Sequence, residues 1–166
     1  MDLNRMTERM QAALFSAQST AASKEHQEVD EDHLFLALLK QDESLVAAIL
    51  ERVQFPSAKF EQKINVLLHK KPQVSGSGVE QDKLYITARL QKLLIEAERE
   101  MEKLQDDFLS VEHMLLAAMI YKQSSIGEML KNERITYDAL LQEIKEIRGN
   151  QRVTSQNPEA TYDVLN

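Results

Sequence analysis

Apolar residues recur at spacings of three and four along most of the chain, the period of a helix with one buried face. Met10, Ala13, Leu14, Ala17 and Ala21 line one side of a first helix that Thr7 can cap. Asp30 can cap a second helix, with Glu31 and Asp32 in the dipole-favoured first turn. Leu34, Phe35, Ala37, Leu38 and Leu39 follow, apolar nearly all round, which predicts a buried helix. Ser44 caps a short third helix with Val46, Ile49, Leu50 and Val53, and Ser57 after Pro56 begins a fourth with Phe60, Ile64, Leu67 and Leu68. Four further helices are predicted beyond residue 83. Their stripes are Leu90, Leu93, Leu94, Ala97, Met101 and Leu104; Val111 to Met119 behind the cap Ser110; Ile126, Met129 and Leu130 behind Ser124 or Ser125; and Ala139, Leu140, Ile144 and Ile147 behind Thr136.

The second four repeat the first. Thr7, Arg9, Gln11 and Leu14 recur as Thr87, Arg89, Gln91 and Leu94. The register then holds without a gap: Ala17 falls on Ala97, His33 on His113, Leu36 on Leu116, Ala37 on Ala117, Ser44 on Ser124, Leu50 on Leu130 and Ile64 on Ile144. Helical periodicity alone would not keep the loops in step, so this is an internal duplication. The expected architecture is all-α, a tandem pseudo-twofold repeat of two four-helix bundles. Repeat one covers 1–70, a connector 71–82, and repeat two 83–149. A bundle of such size is marginal alone, so the two should pack on each other. The connector contains Pro72 and the run Ser75 to Gly78, which predicts flexibility. Gly149 is a helix stop, and 150–166 lacks an apolar stripe, which reads as a linker.

Composition narrows the function. The 166 residues carry 20 Lys+Arg against 27 Asp+Glu, a net charge of −7, the wrong sign for a nucleic-acid footprint. No Cys is present, so disulfides, thiolate metal sites and a Cys nucleophile are excluded; a reducing, cytoplasmic setting fits. No apolar run is long enough to span a bilayer, and no signal-peptide stretch opens the chain. His26, His33, His69 and His113 lack metal-ligand spacing, and no Ser or Asp is distinguished from a helix cap, so neither metal site nor catalysis is expected. No phosphate-binding Gly-x-x-x-x-Gly-Lys-Ser/Thr motif occurs, so neither ATP nor Mg should bind here.

Leu3-Asn-Arg-Met-Thr7, Gln11-Ala-Ala-Leu14 and Ala17-Gln18, with the duplication, resemble the Clp N-terminal repeat domain. His33-Leu-Phe-Leu-Ala-Leu-Leu39 and Glu112-His-Met-Leu-Leu-Ala-Ala118 resemble its second-helix motif. The tail from Val153 to Leu165 resembles the segment joining this domain to the first ATPase ring in ClpB-type disaggregases. The resemblance implies a non-catalytic client-recognition module of a hexameric AAA+ chaperone. Such a module engages unfolded or aggregated polypeptides and helps deliver them to the hexamer pore. ATP, Mg and the partner DnaK system would belong to domains outside this chain, and the isolated domain is expected to be a monomer. It also implies roles for Thr7, Asp106 and Glu112 in aggregate processing.

Each of those roles has a plainer counterpart. Thr7 is also an N-cap, worth about 1 kcal/mol. Asp106 and Glu112 bracket Ser110 and equally suit a solvated, dipole-matched loop. If the bundles leave an apolar groove between them, Leu93, Leu94 and Phe108 are candidates to line it, or are core. Met10, Met101, Met114, Met119 and Met129 mostly fall on the apolar stripes and default to packing. Two other readings keep the helices but differ in function, namely an adaptor-docking domain of a ClpC- or ClpA-type protease unfoldase, and a helical nucleic-acid-binding regulator. A metallohydrolase is the weakest.

Overall fold

The computed structural model describes residues 2–74 and 84–162. Eight α-helices are present among them: α1 Glu8–Ser23, α2 Glu31–Leu39, α3 Leu45–Arg52, α4 Ser57–His69, α5 Ala88–Lys103, α6 Val111–Ile120, α7 Ser125–Asn132 and α8 Tyr137–Arg148. Most of the flexible connector expected at 71–82 lies outside the described residues.

The helices begin where the caps predict. Thr7 Oγ1 accepts the Met10 N–H at 3.2 Å, and Thr87 Oγ1 accepts the Leu90 N–H at 3.0 Å. Ser44 and Ser124 cap α3 and α7 in the same manner, and Thr136 caps α8. Pro56 precedes α4, where its missing N–H costs nothing. Helices α2 and α6, apolar nearly all round beyond their first turns, are the buried centres of the two repeats, with only Leu36 and Ile120 not buried.

The duplication extends to backbone detail. Glu25 and Gln105, 80 positions apart, both take φ 59° at the end of the first helix of their repeat. Gln54 and Arg134 do the same at 65° and 64°. In each case the next residue closes a 6→1 bond, His26 to Ala21 and Asp106 to Met101, then Phe55 to Leu50 and Ile135 to Leu130.

The two repeats clasp reciprocally. A two-residue strand, β1 Glu28–Val29, pairs in parallel with β2 Tyr85–Ile86, so Val29 lies beside Ile86. In the same register, Met6 bridges Leu109. Thr7 N–H donates to Leu109 O at 2.9 Å, and Thr87 N–H donates to Val29 O at 3.0 Å. Thus the entry to each first helix is tied to the other repeat, an interface of the isologous kind built within one chain. Helices α2 and α7 touch, as do their counterparts α6 and α3. One continuous apolar core results, from Met10 and Phe35 through Leu90 to Leu116 and Ile144.

Some contacts across the seam lack a counterpart. Glu31, fully buried, accepts from Ser124 Oγ and from the backbone N–H groups of Ser125 and Ile126 at 2.6, 3.0 and 3.1 Å. It therefore caps the N-terminus of α7 from the other repeat, a favourable place for a carboxylate. Burial still raises its pKa, because those bonds and Arg89 offset the desolvation only in part.

After Gly149, at φ 63°, the chain reverses. The stretch assigned by pattern to a linker is anchored at a few points: Val153 is fully buried, Tyr162 is nearly so, and a 3-10 turn spans Pro158–Thr161, while 150–152 and 154–157 are exposed. Buried residues spaced as far apart as Val153 and Tyr162 leave no periodic signal, which is why hydropathy shows nothing there. Residues 163–166 of that stretch lie outside the described residues.

Candidate functional site

Most large apolar side chains are inside, so the few that are not are informative. Seven are exposed among the described residues, and four of them, Leu3, Phe15, Ile86 and Ile95 at 55%, 65%, 37% and 51%, line one open groove of about 910 Å³; Val66, Tyr85 and Ile120 lie outside it. Its walls are α1 with the preceding 3-10 turn Leu3–Arg5, and α5 with β2. Met6 and Leu14 face Leu94 across it, and Gln11, Gln18, Gln91 and Glu98 supply the polar rim.

The lining obeys the internal register. Met6 corresponds to Ile86, Gln11 to Gln91, Leu14 to Leu94, Phe15 to Ile95 and Gln18 to Glu98. The groove thus straddles the pseudo-dyad, and neither repeat alone has it. Phe15 and Ile95 stand on the outer edges of the apolar stripes of α1 and α5. Each reads in sequence as an odd apolar residue on a polar face, and their convergence across 80 positions was not legible.

The predicted site residues distribute differently. Leu94 lines the groove, whereas Leu93 is fully buried in the core. Phe108 is half-buried against the core and is not part of the groove lining, nor is any other residue of the loop before Ser110. Thr7 is fully buried, with its hydroxyl on Met10 and its N–H on Leu109. Asp106 and Glu112 are buried too, at 6% and 0% exposure, so the solvated-loop picture does not hold for either.

Both carboxylates belong to an ionic cluster around Arg148. Arg148 donates from Nη1 to Asp106 Oδ2 at 3.0 Å and from Nε to Glu112 Oε2 at 2.9 Å. His113 Nδ1 accepts the Ser110 N–H at 2.9 Å, so the imidazole proton sits on Nε2 and is donated to Asp106 Oδ2 at 2.7 Å. Burial alone would raise the pKa of Asp106. The His113 bond, the Val153 N–H and the Arg148 charge outweigh it and hold the carboxyl below its usual range. Glu112 is likewise held low against burial, chiefly by Arg148.

Repeat one has a related cluster. His33 Nδ1 accepts the Asp30 N–H at 3.0 Å, and its Nε2 contacts His26 Nδ1 at 2.8 Å. Desolvation, with Lys71 and His26 adding to it, lowers the His33 pKa to about 3. Asp30 pairs with Arg89 at 2.5 Å and with Lys71 at 3.3 Å. Burial opposes its charge, yet Arg89, the Glu31 N–H and Lys71 bring its pKa down to about 2. These buried groups partner one another within the fold, except Glu112 Oε1, which has no hydrogen-bond partner among the described residues. Among the described residues no cluster of His, Asp or Glu could hold a metal ion, and no helix is long and apolar enough to cross a membrane.

Residues 5–133 match the family described as Clp repeat (R) N-terminal domain. The chain belongs to the Clp repeat N-terminal domain family. It is 50% identical over 165 residues, 99% of its own length, to the chaperone protein ClpB of Bacillus cereus, and 36% identical over 166 residues to that of Clostridium perfringens. It spans only 19% of the length of either relative. The fold is that of the Hsp104 N-terminal domain from Candida albicans (TM-score 0.76, 20% identity, 93% of this chain and 98% of that one). The N-terminal domain of the ClpV1 ATPase from E. coli is as similar (TM-score 0.76, 19% identity, 95% and 92%). The chain is thus similar over nearly its whole length to part of the ClpB chaperones and shares the fold of these N-terminal domains.

Proposed function

We propose that this Clp repeat domain is the client-recognition module of a ClpB-type, ATP-driven hexameric disaggregase. Its α1–α5 groove takes up apolar stretches of unfolded or aggregated polypeptides and helps deliver them to the hexamer pore. Hydrolysis of ATP with Mg, and work with the DnaK system in the cytoplasm, fall to the rest of the parent protein. The observation that carries this reading is the gathering of four exposed apolar side chains, Leu3, Phe15, Ile86 and Ile95, into one groove with a glutamine-rich rim.

Such a lining recognises by area and shape. Apolar burial is non-directional, and the two walls carry corresponding residues, so the groove suits many sequences and either chain direction. Contacts should be weak, with Kd of roughly 10 μM to 1 mM, about −7 to −4 kcal/mol. Six domains on one hexamer would add avidity without new contacts.

Chemical-shift mapping with reduced, carboxymethylated α-lactalbumin tests the assignment. Perturbations should concentrate on Phe15, Ile86 and Ile95, and Phe15→Asp or Ile95→Asp should weaken binding at least fivefold with helicity unchanged. Perturbations confined to α4, on the far face of repeat one, would sink it. Full binding by both aspartate variants would redirect attention to docking of a folded adaptor, as in ClpC-type unfoldases.

A further inference from the structure

The segment beyond Gly149 touches both the ionic cluster and the groove wall. Val153 N–H donates to Asp106 Oδ1 at 2.9 Å, Asp107 N–H donates to Val153 O at 2.7 Å, and the valine side chain is fully buried. Asp106 thereby uses one oxygen for this segment and the other for His113 and Arg148. Further on, Gln156 O accepts the Glu8 N–H at 2.8 Å, one of the donors that the first turn of α1 cannot satisfy internally. Gln156 Nε2 donates to Asn4 O at 3.0 Å. At the end of the described segment, Tyr162 is nearly buried, with its ring 5.9 Å from the Arg148 guanidinium. The chain therefore leaves Arg148, crosses to the start of α1, and returns to Arg148.

Asn4 lies in the turn Leu3–Arg5, whose Leu3, with Met6 just after it, forms one wall of the groove. That turn is only three residues long and buries none of them. It is held from outside: by Gln11 Nε2 on Leu3 O and Met6 O at 2.9 and 3.0 Å, by Leu109 N–H on Arg5 O at 2.7 Å, and by Gln156. So short a turn has little stability of its own, and its position depends on these holders.

We propose that residues 150–162 form a strap that seats the Leu3–Met6 wall of the groove, with Arg148, Val153 and Gln156 as its positioning residues. Groove occupancy and strap attachment are then coupled: a client that presses on the seated wall tightens the strap, and tension on the chain beyond 162 that lifts the strap loosens the client. Coupling of this kind is reciprocal by linkage. It gives Asp106 and Glu112 a role at a distance: they hold the clasp and do not touch the client. The client half of this inference rests on the groove reading above; the strap-to-wall half does not.

The experiment uses the full 166-residue chain, isotopically labelled, with Val153→Ser and Gln156→Ala. Val153→Ser should leave far-UV helicity unchanged, speed exchange of the Glu8 amide at least tenfold, and shift the Leu3 and Met6 methyl resonances while the Ile95 methyl stays in place. Affinity for reduced, carboxymethylated α-lactalbumin should fall severalfold. Gln156→Ala should move the same signals less. A fast Glu8 amide with unmoved Leu3 and Met6 methyls would overturn the coupling. A Glu8 amide still protected in both variants would overturn the strap itself. If the unaltered chain does not bind the polypeptide, the groove reading fails, and the methyl shifts still decide whether strap and wall are linked.

Discussion

The two repeats meet one structural demand with different chemistry. Each must orient a histidine, His33 or His113, whose Nδ1 accepts the N-cap N–H of the central helix. The remaining Nε2 proton needs a buried acceptor. Repeat one supplies the neutral His26, and the position corresponding to Arg148 is the buried Leu68. Repeat two supplies the carboxylate Asp106, and Arg148 compensates it. The lesson is that a charged acceptor inside a bundle requires a buried cation, and the cation then gathers further partners, here Glu112 and Tyr162. The neutral arrangement needs no cation at position 68, and the cations near it, Lys71 and Arg89, pair Asp30 and Asp32 instead. The asymmetry between the repeats has a structural use, because in repeat two the charged acceptor also takes the Val153 N–H of the C-terminal segment.

The largest effect should come from making repeat two resemble repeat one by half. Arg148→Leu leaves Asp106 and Glu112 buried without their cation, and should cost about 3–5 kcal/mol in urea unfolding. Adding Asp106→His and Gln151→Lys supplies the neutral acceptor and a lysine at the position of Lys71, which pairs Asp32 at 3.2 Å in repeat one. The triple variant should recover more than half of the loss. Failure to recover would show that the two clusters are not interchangeable solutions.

The reverse exchange should appear as pH dependence. Burial, then Lys71 and Lys24, lowers the pKa of His26 below 6.5, and His33 falls to about 3. For such bases the folded state holds fewer protons than the unfolded state below pH 6.5. Their contribution to stability is thus fully present above 6.5 and is lost as pH falls toward about 3. His26→Asp places a carboxylate against His33 Nε2, which favours the imidazolium. The His33 midpoint followed by NMR should then rise above 3, and the acid-side loss of stability should move with it. An unmoved midpoint would mean that the geometry around positions 26 and 106 differs more than their shared register implies.

The smallest effects test the symmetry of the groove. Thr7 and Thr87 cap the two helices that wall it, at 3.2 and 3.0 Å. Thr7→Ala and Thr87→Ala should each cost about 1 kcal/mol in thermal unfolding and weaken polypeptide binding by similar factors. A much larger binding loss for Thr7→Ala at equal stability would assign that hydroxyl a direct role in recognition.

Much of this molecule was legible in its sequence. Helix positions, caps and the buried nature of α2 and α6 followed from local periodicity, because a helix face and an N-cap are decided within a few residues. The duplication followed from identities such as His33 with His113. Equivalences without identity stayed hidden: His26 with Asp106, Leu68 with Arg148, and Phe15 with Ile95. Leu93 and Leu94 were indistinguishable as neighbours on one apolar stripe, and only packing sent one into the core and the other to the groove.

The chain by itself determined an all-α double repeat without catalytic motifs, since periodicity, capping and internal register are short-range or linear properties. Tertiary structure alone decided that Asp106 and Glu112 are buried partners of one arginine, that residues 150–162 lie against the body, and that two helices 80 positions apart share an apolar groove. The reason is physical: the worth of a buried charge or an exposed apolar side chain depends on what stands opposite it, and that is set by packing across the pseudo-dyad.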